Sequence, residues 1–126
     1  MEKELESLLE EEGFACVRSP ASGKGGKKAD GTEREQPDVI AGNGDVFYAF
    51  ECKSSSDDVI YIKQEEIDDL KYFSMCFGAE SKVGIRFNYC DWGFFDPEDM
   101  HRTNSGNYRI KKENINKGER ISDITC

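Results

Sequence analysis

The chain has 126 residues, a formal net charge of −9 and a hydrophobic fraction of 37%. This length suits one domain with a core of its own, which excludes disorder throughout the chain. No apolar run approaches the roughly 18 residues that a membrane-spanning helix needs, and the acidic N-terminus lacks the basic start of a signal peptide, so we expect a cytoplasmic protein with no membrane partner.

The first predicted elements are a helix, a short strand and a loop. Leu5, Leu8 and Leu9 recur at helical spacing over residues 2–12, and Gly13 stands where a C-terminal cap belongs. Residues 14–17 are typical of a short strand. The stretch 19–36 is rich in Gly, Lys, Ser and Thr, which indicates a long flexible loop of the kind that is usually functional or disordered.

A β-hairpin is the strongest local prediction. Apolar runs at 37–41 and 46–53 flank Asn43-Gly44, and Asn-Gly is the strongest short signal for a hairpin turn. If the turn centres on Asn43-Gly44, Asp38 lies opposite Ala49 and diagonal to Glu51. Because side chains alternate along a strand, Asp38, Glu51 and Lys53 then share one face.

The second half of the chain alternates strands with one broad helix. A strand at 59–62 precedes a helix over 64–77, whose apolar stripe is wide enough to face either the core alone or both the core and a partner subunit. Residues 83–87 alternate as a half-buried strand, and further strands are predicted at 92–95 and 108–110. The tail at 113–126 shows no distinct pattern.

The cysteine and histidine content excludes several kinds of site. The five cysteines are odd in number, widely spaced and without a CxxC pair, so we expect reduced thiols and neither a disulfide framework nor a zinc site. The single histidine, His101, cannot build a multi-histidine metal site, and serine or cysteine triads are disfavoured.

The shared face of Asp38, Glu51 and Lys53 carries the chemistry. Two carboxylates can hold a hard divalent cation, and a fixed lysine beside them can stabilise the transition state of phosphodiester hydrolysis. The alternative is a solvated strand face with a surface salt bridge. For any one of these residues alone, that plain interpretation is the better one, and only the combination favours a nuclease.

The excess of acid argues against a nucleic-acid partner, because phosphate binding depends on Lys and Arg. The charge is segregated, however: glutamates crowd the first helix, while Arg18, Lys24, Lys27 and Lys28 stand together without an acid between them. DNA binding therefore stays open, and we expect it to depend steeply on salt.

The order and spacing of several segments are similar to those of archaeal Holliday-junction resolvases, within the restriction-endonuclease-like nuclease superfamily. The segments are EKEL at 2–5, GFACVRSPASG at 13–23, PDVIAGNG at 37–44, FECKS at 50–54, IYI at 60–62 and FGA at 77–79. The resemblance implies an α/β domain with a central mixed sheet flanked by helices. It also implies a homodimer that cuts four-way junction DNA symmetrically with Mg²⁺, for which Mn²⁺ would substitute.

The resemblance also implies roles for individual residues. The metal ligands would be Asp38, Glu51 and the backbone carbonyl of Cys52, with Glu2 assisting. The catalytic residues would be Glu2, Ser22, Asp38, Glu51 and Lys53. DNA contacts would come from Lys3, Arg18, Lys24, Lys27, Lys28 and Lys63, and the dimer contact from Leu70, Phe73 and Phe77.

Two rival functions are compatible with the same residues. A related nuclease of this fold could act on duplex, flap or mismatched DNA, and substrate competition separates it from a resolvase. A non-catalytic junction-binding dimer would bind DNA without magnesium-dependent cleavage. A metal-buffering or purely structural acidic protein is the least favoured, since Asp38, Glu51 and Lys53 are all present.

Overall fold

A computed structural model describes residues 2–19, the backbone of 24–27, and residues 33–126. The helices are α1 (Glu2–Glu11), α2 (Gln64–Phe77) and α3 (Ile121–Thr125), with 3-10 turns at Pro97–Asp99 and Lys112–Lys117. The strands are β1 (Ala15–Arg18), β2 (Lys24–Lys27), β3 (Glu33–Glu35), β4 (Val39–Gly42), β5 (Phe47–Ser55), β6 (Val59–Ile62), β7 (Glu80–Phe87), β8 (Gly93–Phe95), β9 (His101–Arg102) and β10 (Tyr108–Lys111). No helix in the described part of the chain is long and apolar enough to cross a bilayer.

The central sheet has five strands in the order β1-β4-β5-β7-β8. Strands β5 and β7 run parallel, and the other neighbouring pairs run antiparallel. The segment between β5 and β7 contains β6 and α2, because parallel neighbours need a crossover connection. The predicted mixed sheet flanked by helices is therefore confirmed.

Two apolar cores lie on opposite faces of this sheet. One contains Ala49 of β5 together with Ile67 and Leu70 of α2, and the other contains Phe50 and Cys52 of β5 with leucines of α1. Alternate residues of β5 thus serve different cores, as the period of two along a strand requires. The central strands β5 and β7 are buried on both faces, so β7 is not the half-buried strand that its alternation predicted.

The hairpin turn differs from the prediction by two residues of register. Val39 pairs with Phe50, whereas a turn centred on Asn43-Gly44 would pair Val39 with Tyr48. The cause is the Asn43 side chain, whose Oδ1 accepts hydrogen bonds from the amides of Asp45 and Val46 at 2.9 and 2.8 Å. This side-chain turn lengthens the loop. Because the shift is an even number, every side chain keeps its predicted face.

Part of the predicted flexible loop forms strands. Strands β2 and β3 pair antiparallel, and β3 is attached to α2 by two contacts. The amide of Glu35 donates to Asp69 Oδ2 at 3.1 Å, and the guanidinium of Arg34 lies 3.8 Å from the centre of the Tyr72 ring. The described end of this segment is therefore held against the helix.

The tail is ordered because its residues contact the sheet. Ile124 of α3 is buried, and its carbonyl accepts a hydrogen bond from Tyr48 Oη at 2.7 Å. The buried Lys82 amine lies 2.8 Å from Asp96 and 2.5 Å from Glu119. These contacts are distant in sequence, which explains why the tail has no pattern of its own.

Candidate active site

Strands β4 and β5 bring Asp38 and Glu51 together. Extending the observed pairing of Val39 with Phe50 by one residue places Asp38 opposite Glu51, where the prediction had the two diagonal. The Asp38 amide donates to the carbonyl of Phe50 at 2.8 Å, and Asp38 Oδ2 accepts the amide of Cys52 at 2.8 Å. The backbone therefore fixes the position of the Asp38 carboxyl group, opposite Glu51.

Glu51 is buried and Asp38 is half-buried, and this shielding from water shifts both pKa values. Burial, together with the neighbouring charge of Asp38, raises the pKa of Glu51 to about 9. Burial also raises the pKa of Asp38, although the hydrogen bond from Cys52 opposes the shift. Without a cation the pair retains a proton at neutral pH, which Glu51 donates to Asp38. A hard divalent cation binds carboxylate oxygens and would displace this proton. The paired carboxyl groups are therefore a donor set that fits such a cation.

Lys53 lies on the same face and pairs with a residue that the sequence analysis missed. Its Nζ is 2.6 Å from Glu66 Oε2, and both side chains are largely shielded, at 31% and 15% exposure. Burial alone would lower the pKa of Lys53, but the contact with Glu66 outweighs it and the pKa is raised. Lys53 is therefore a fixed cation beside the carboxyl pair.

Glu66 could have been found from one signal. The predicted helix over 64–77 follows a strand that follows β5, so its N-terminal turn had to return to the sheet. That turn carries Glu65 and Glu66, and a helix packed on the face of Lys53 sets one of them beside the amine. Only the packing decides that it is Glu66, because Glu65 is exposed.

Glu2 lies near the pair but does not complete a cluster of metal-binding side chains. Its charge contributes to the raised pKa values of Asp38 and Cys52, which places it on their side of α1. Among the residues that the structure describes, no three His, Cys, Asp or Glu side chains could hold one metal ion. Burial keeps the pKa of the Cys52 thiol well above its usual value, so its sulfur is a neutral, poor ligand.

The residues predicted to bind DNA differ in exposure and in their contacts. Arg18 ends β1 and is half exposed, but its Nε pairs with Glu6 Oε2 at 3.2 Å. Lys3 and Lys63 are exposed, at the start of α1 and immediately before α2. Lys24 and Lys27 lie on β2, of which the structure describes the backbone alone. Ser22 and Lys28 lie outside the described residues.

The three residues predicted for the dimer interface separate into core and surface. Leu70 is 2% exposed and belongs to the core beneath α2, so its assignment to an interface is corrected. Phe73 is partly buried against that core, and its ring stacks on Phe77 with centroids 5.2 Å apart. Phe77 is 55% exposed and Met75 is 74% exposed. The C-terminal half of α2 therefore presents apolar surface without Leu70.

Comparison with known proteins gives a consistent result. Residues 1–125 match the family described as archaeal Holliday junction resolvase (hjc). The crossover junction endodeoxyribonuclease Hjc of Methanocaldococcus jannaschii is 40% identical over 109 residues, which are 86% of this chain and 71% of the relative. The Hjc protein of Sulfolobus acidocaldarius is 34% identical over 125 residues, covering 98% of this chain and 82% of the relative.

A solved structure shows the same fold. Archaeoglobus fulgidus Hjc, described as a Holliday junction resolvase from an archaeal hyperthermophile, superposes with a TM-score of 0.85 at 28% identity. The match covers 99% of this chain and 97% of that structure. The likeness therefore extends over nearly the whole chain.

Proposed function

The chain belongs to the archaeal Holliday junction resolvase family, and we propose that it is an endonuclease that resolves four-way DNA junctions in recombination and repair by cutting paired strands symmetrically. The observation that carries the proposal is the pair formed by half-buried Asp38 and buried Glu51 beside the Lys53 cation. Two carboxyl groups held this close in a shielded place are costly for the fold, as the raised pKa of each one indicates. A catalytic task at this position explains why the cost is retained.

We propose Mg²⁺ as the cofactor, with Mn²⁺ able to substitute. The ligands would be the Asp38 and Glu51 carboxylates and the Cys52 carbonyl. In an extended strand the N–H and C=O of one residue point to the same side, and the Cys52 N–H points to Asp38. Glu2, on the α1 side, would act through a bound water. Such an ion activates water and neutralises charge on a phosphate.

The chain's own residues supply positioning and charge. The Cys52 amide holds the Asp38 carboxylate in place, so Asp38 needs little reorganisation on binding, and strand pairing sets Glu51 opposite it. Lys53 would donate to the phosphate oxygens that gain charge in the transition state. Glu66 holds the Lys53 amine in place from the opposite element, which makes it a positioning residue.

We propose that the enzyme is a homodimer formed through the C-terminal half of α2. The support is the exposed apolar surface of Met75 and Phe77, continued by Phe73. A two-fold axis would present two identical sites to the two strands of a junction, which itself has two-fold symmetry. This geometry accounts for paired cuts without any base-specific contact, because phosphate contacts can follow the shape of the arms.

The DNA face would combine the basic segment around β2 with separate exposed lysines. Lys3 lies in the first turn of α1 and Lys63 immediately precedes α2, both at the catalytic end of the sheet. Lys24 and Lys27 lie on β2. Ser22 and Lys28 belong to the same proposed surface by sequence. With a net charge of −9, binding should weaken as salt rises, since each lysine–phosphate contact releases counterions and added salt opposes that release.

The test uses a labelled four-way junction that cannot branch-migrate and a duplex with the sequence of one arm. Each is incubated with the protein in Mg²⁺ and in chelator. Glu51→Gln removes the proposed ligand, and Glu12→Gln changes an exposed glutamate at the end of α1 as the matched control. We expect paired symmetric nicks in the junction only, lost in Glu51→Gln and retained in Glu12→Gln.

Other outcomes assign the function to a rival. Equal cutting of the duplex indicates a related nuclease with broader substrates. Junction binding without any cutting in Mg²⁺ or Mn²⁺ indicates a non-catalytic binding protein. Full cutting by Glu51→Gln contradicts the proposed metal site.

A further inference from the structure

The turn after β7 contains a backbone outlier. Tyr89 has φ 63°, and it is the one non-glycine residue with positive φ in the described chain. It is also 98% exposed. A bulky side chain is unfavourable in the left-handed region, where Gly or Asn fits better, and a fully exposed aromatic ring gains nothing from burial. Neither property helps the fold, and local strain of this kind concentrates at functional sites.

The Tyr89 turn is rigidly held. Arg86 donates from the same nitrogen to the carbonyls of Phe87, at 2.8 Å, and Cys90. The Cys90 amide donates a hydrogen bond to the Phe87 carbonyl at 3.1 Å. Arg86 Nε forms an ion pair with Glu4 Oε1 at 3.1 Å. The Tyr89 ring is therefore presented from a fixed backbone, which limits the ordering entropy that a partner must overcome.

An open cleft lies beside the ring. It has a volume of about 510 Å³ and is lined by Glu4, Ser54, Arg86, Asn88 and Tyr89. This volume falls within the range of small-ligand sites and is large enough for a nucleoside. The hydroxyl of Ser54 and the amide of Asn88 can donate and accept hydrogen bonds, as base edges require.

The cleft opens at the catalytic end of the sheet. Ser54 follows Lys53 directly, and the Asn88 amide donates to the carbonyl of Ser55 at 3.3 Å. Ser55 is two residues beyond Lys53, or about 7 Å along the strand, and β7 is one strand spacing of about 5 Å away. Because side chains alternate, Ser54 faces away from Glu51. The cleft and the active site are thus close along β5 but on opposite faces of it, and the diverging strands of a DNA branch point can place one strand at the active site and another at the cleft.

We propose that this cleft receives one unpaired nucleobase from the branch point of the junction, stacked on the ring of Tyr89. The inference rests on the proposed function and adds a binding site to it. In the wall the Glu4 carboxylate pairs with Arg86, whose guanidinium also donates to the Phe87 and Cys90 carbonyls, so no uncompensated cation is offered to a phosphate, whereas an uncharged base needs none. A base within duplex DNA is stacked on both sides, so the Tyr89 ring can stack only on a base that has left its neighbours.

The test measures equilibrium binding by fluorescence anisotropy of a labelled four-way junction, with chelator present to prevent cutting. Tyr89→Asn removes the ring and suits the left-handed backbone, so its thermal midpoint should equal or exceed that of the wild type. Tyr89→Phe keeps the ring. Tyr61→Ala removes another exposed tyrosine, 60% accessible, from the ordinary extended backbone of β6.

We expect Tyr89→Asn to bind the junction about fivefold to hundredfold more weakly, as for loss of one stacked base, while Tyr89→Phe and Tyr61→Ala stay within about twofold. Junctions with one abasic nucleotide at successive branch-point positions locate the base. When the abasic nucleotide is at the contacted position, the affinity of the wild type should fall by the same factor as the affinity of Tyr89→Asn for the intact junction. The affinity of Tyr89→Asn should not fall further.

Two results overturn the inference. One is junction binding by Tyr89→Asn within about twofold of the wild type. The other is a loss that no abasic position reproduces, which would assign Tyr89 to a different contact. Failure of the proposed function is separate, because it appears in the wild type as the absence of Mg²⁺-dependent cutting of the junction.

Discussion

Glu51→Gln should stabilise the metal-free protein while it abolishes cutting. The Glu51 carboxyl is 7% exposed, and burial followed by the Asp38 charge raises its pKa from 4.5 to about 9. In the folded protein it keeps a proton and donates it to Asp38. Glutamine has nearly the same shape, and its amide can donate to Asp38 at every pH.

The sign and size follow from linkage. Above pH 4.5 the unfolded chain loses the Glu51 proton, whereas the folded chain holds it until about pH 9. The unfolded state therefore binds fewer protons, and the free energy of unfolding falls as pH rises through this window. At pH 7 the loss amounts to about 3 kcal/mol at 1.36 kcal/mol per pH unit. Glu51→Gln should recover about this amount, or roughly 10 °C in the midpoint of thermal unfolding.

The assay is chemical and thermal unfolding in chelator at pH 4, 5.5, 7 and 8, followed by circular dichroism. Glu12→Gln, an exposed glutamate, is the control and should follow the wild type at each pH. We expect the difference between Glu51→Gln and the wild type to vanish near pH 4 and to increase up to pH 8. Mg²⁺ should then raise the stability of the wild type and leave that of Glu51→Gln nearly unchanged.

Two observations would refute this reasoning. If Glu51→Gln is no more stable than the wild type at pH 7, the carboxyl is not the buried, destabilising group that its surroundings indicate. If the difference does not depend on pH, any gain has another origin than the Glu51 proton.

Three further predictions concern the lysine, the dimer and the tail. Glu66→Ala should lower kcat about tenfold with little change in KM, and Glu66→Gln should restore part of it, because the ion pair of Glu66 Oε2 with Lys53 Nζ, at 2.6 Å, positions the amine. Iodoacetamide should modify exposed Cys126 at any protein concentration but modify Cys76, which lies on α2 between Met75 and Phe77, more slowly once dimers form. Lys82→Met should lower the free energy of unfolding by about 1–3 kcal/mol, since the buried amine connects β7 to the tail through Glu119.

Each of these has a result that contradicts it. Unchanged kcat in Glu66→Ala would show that Lys53 needs no positioning partner. Equal modification of Cys76 and Cys126 at concentrations where sedimentation shows dimers would place the interface elsewhere than on α2. A Lys82→Met protein of unchanged stability by urea unfolding would show that the tail is attached without the Lys82 ion pairs.

Local patterns sufficed for the secondary structure that carries the site. The helix predicted over 64–77 is α2 (Gln64–Phe77), and the hairpin strands appear as β4 and β5. The common face of Asp38, Glu51 and Lys53 also follows from sequence, because alternation along a strand is a property of each strand by itself. The shared face is kept despite the register difference, because the turn at Asn43 shifts the pairing by two residues, an even number.

The contacts between elements required the tertiary structure. The apolar stripe of α2 contains more residues than the sheet can cover. Packing alone therefore decides that Leu70 is buried and that Phe77 is exposed. The partnership of Lys53 with Glu66 likewise depends on how the crossover returns to the sheet.

The sequence by itself therefore determined which residue types could perform the chemistry and which face they share, since both depend on the composition and short-range geometry of single strands. The tertiary structure decided how deeply Glu51 is buried, what holds Lys53 and how the Tyr89 turn is braced. The physical reason is that burial and electrostatic environment are set by groups distant in the chain, and no short window of sequence contains them.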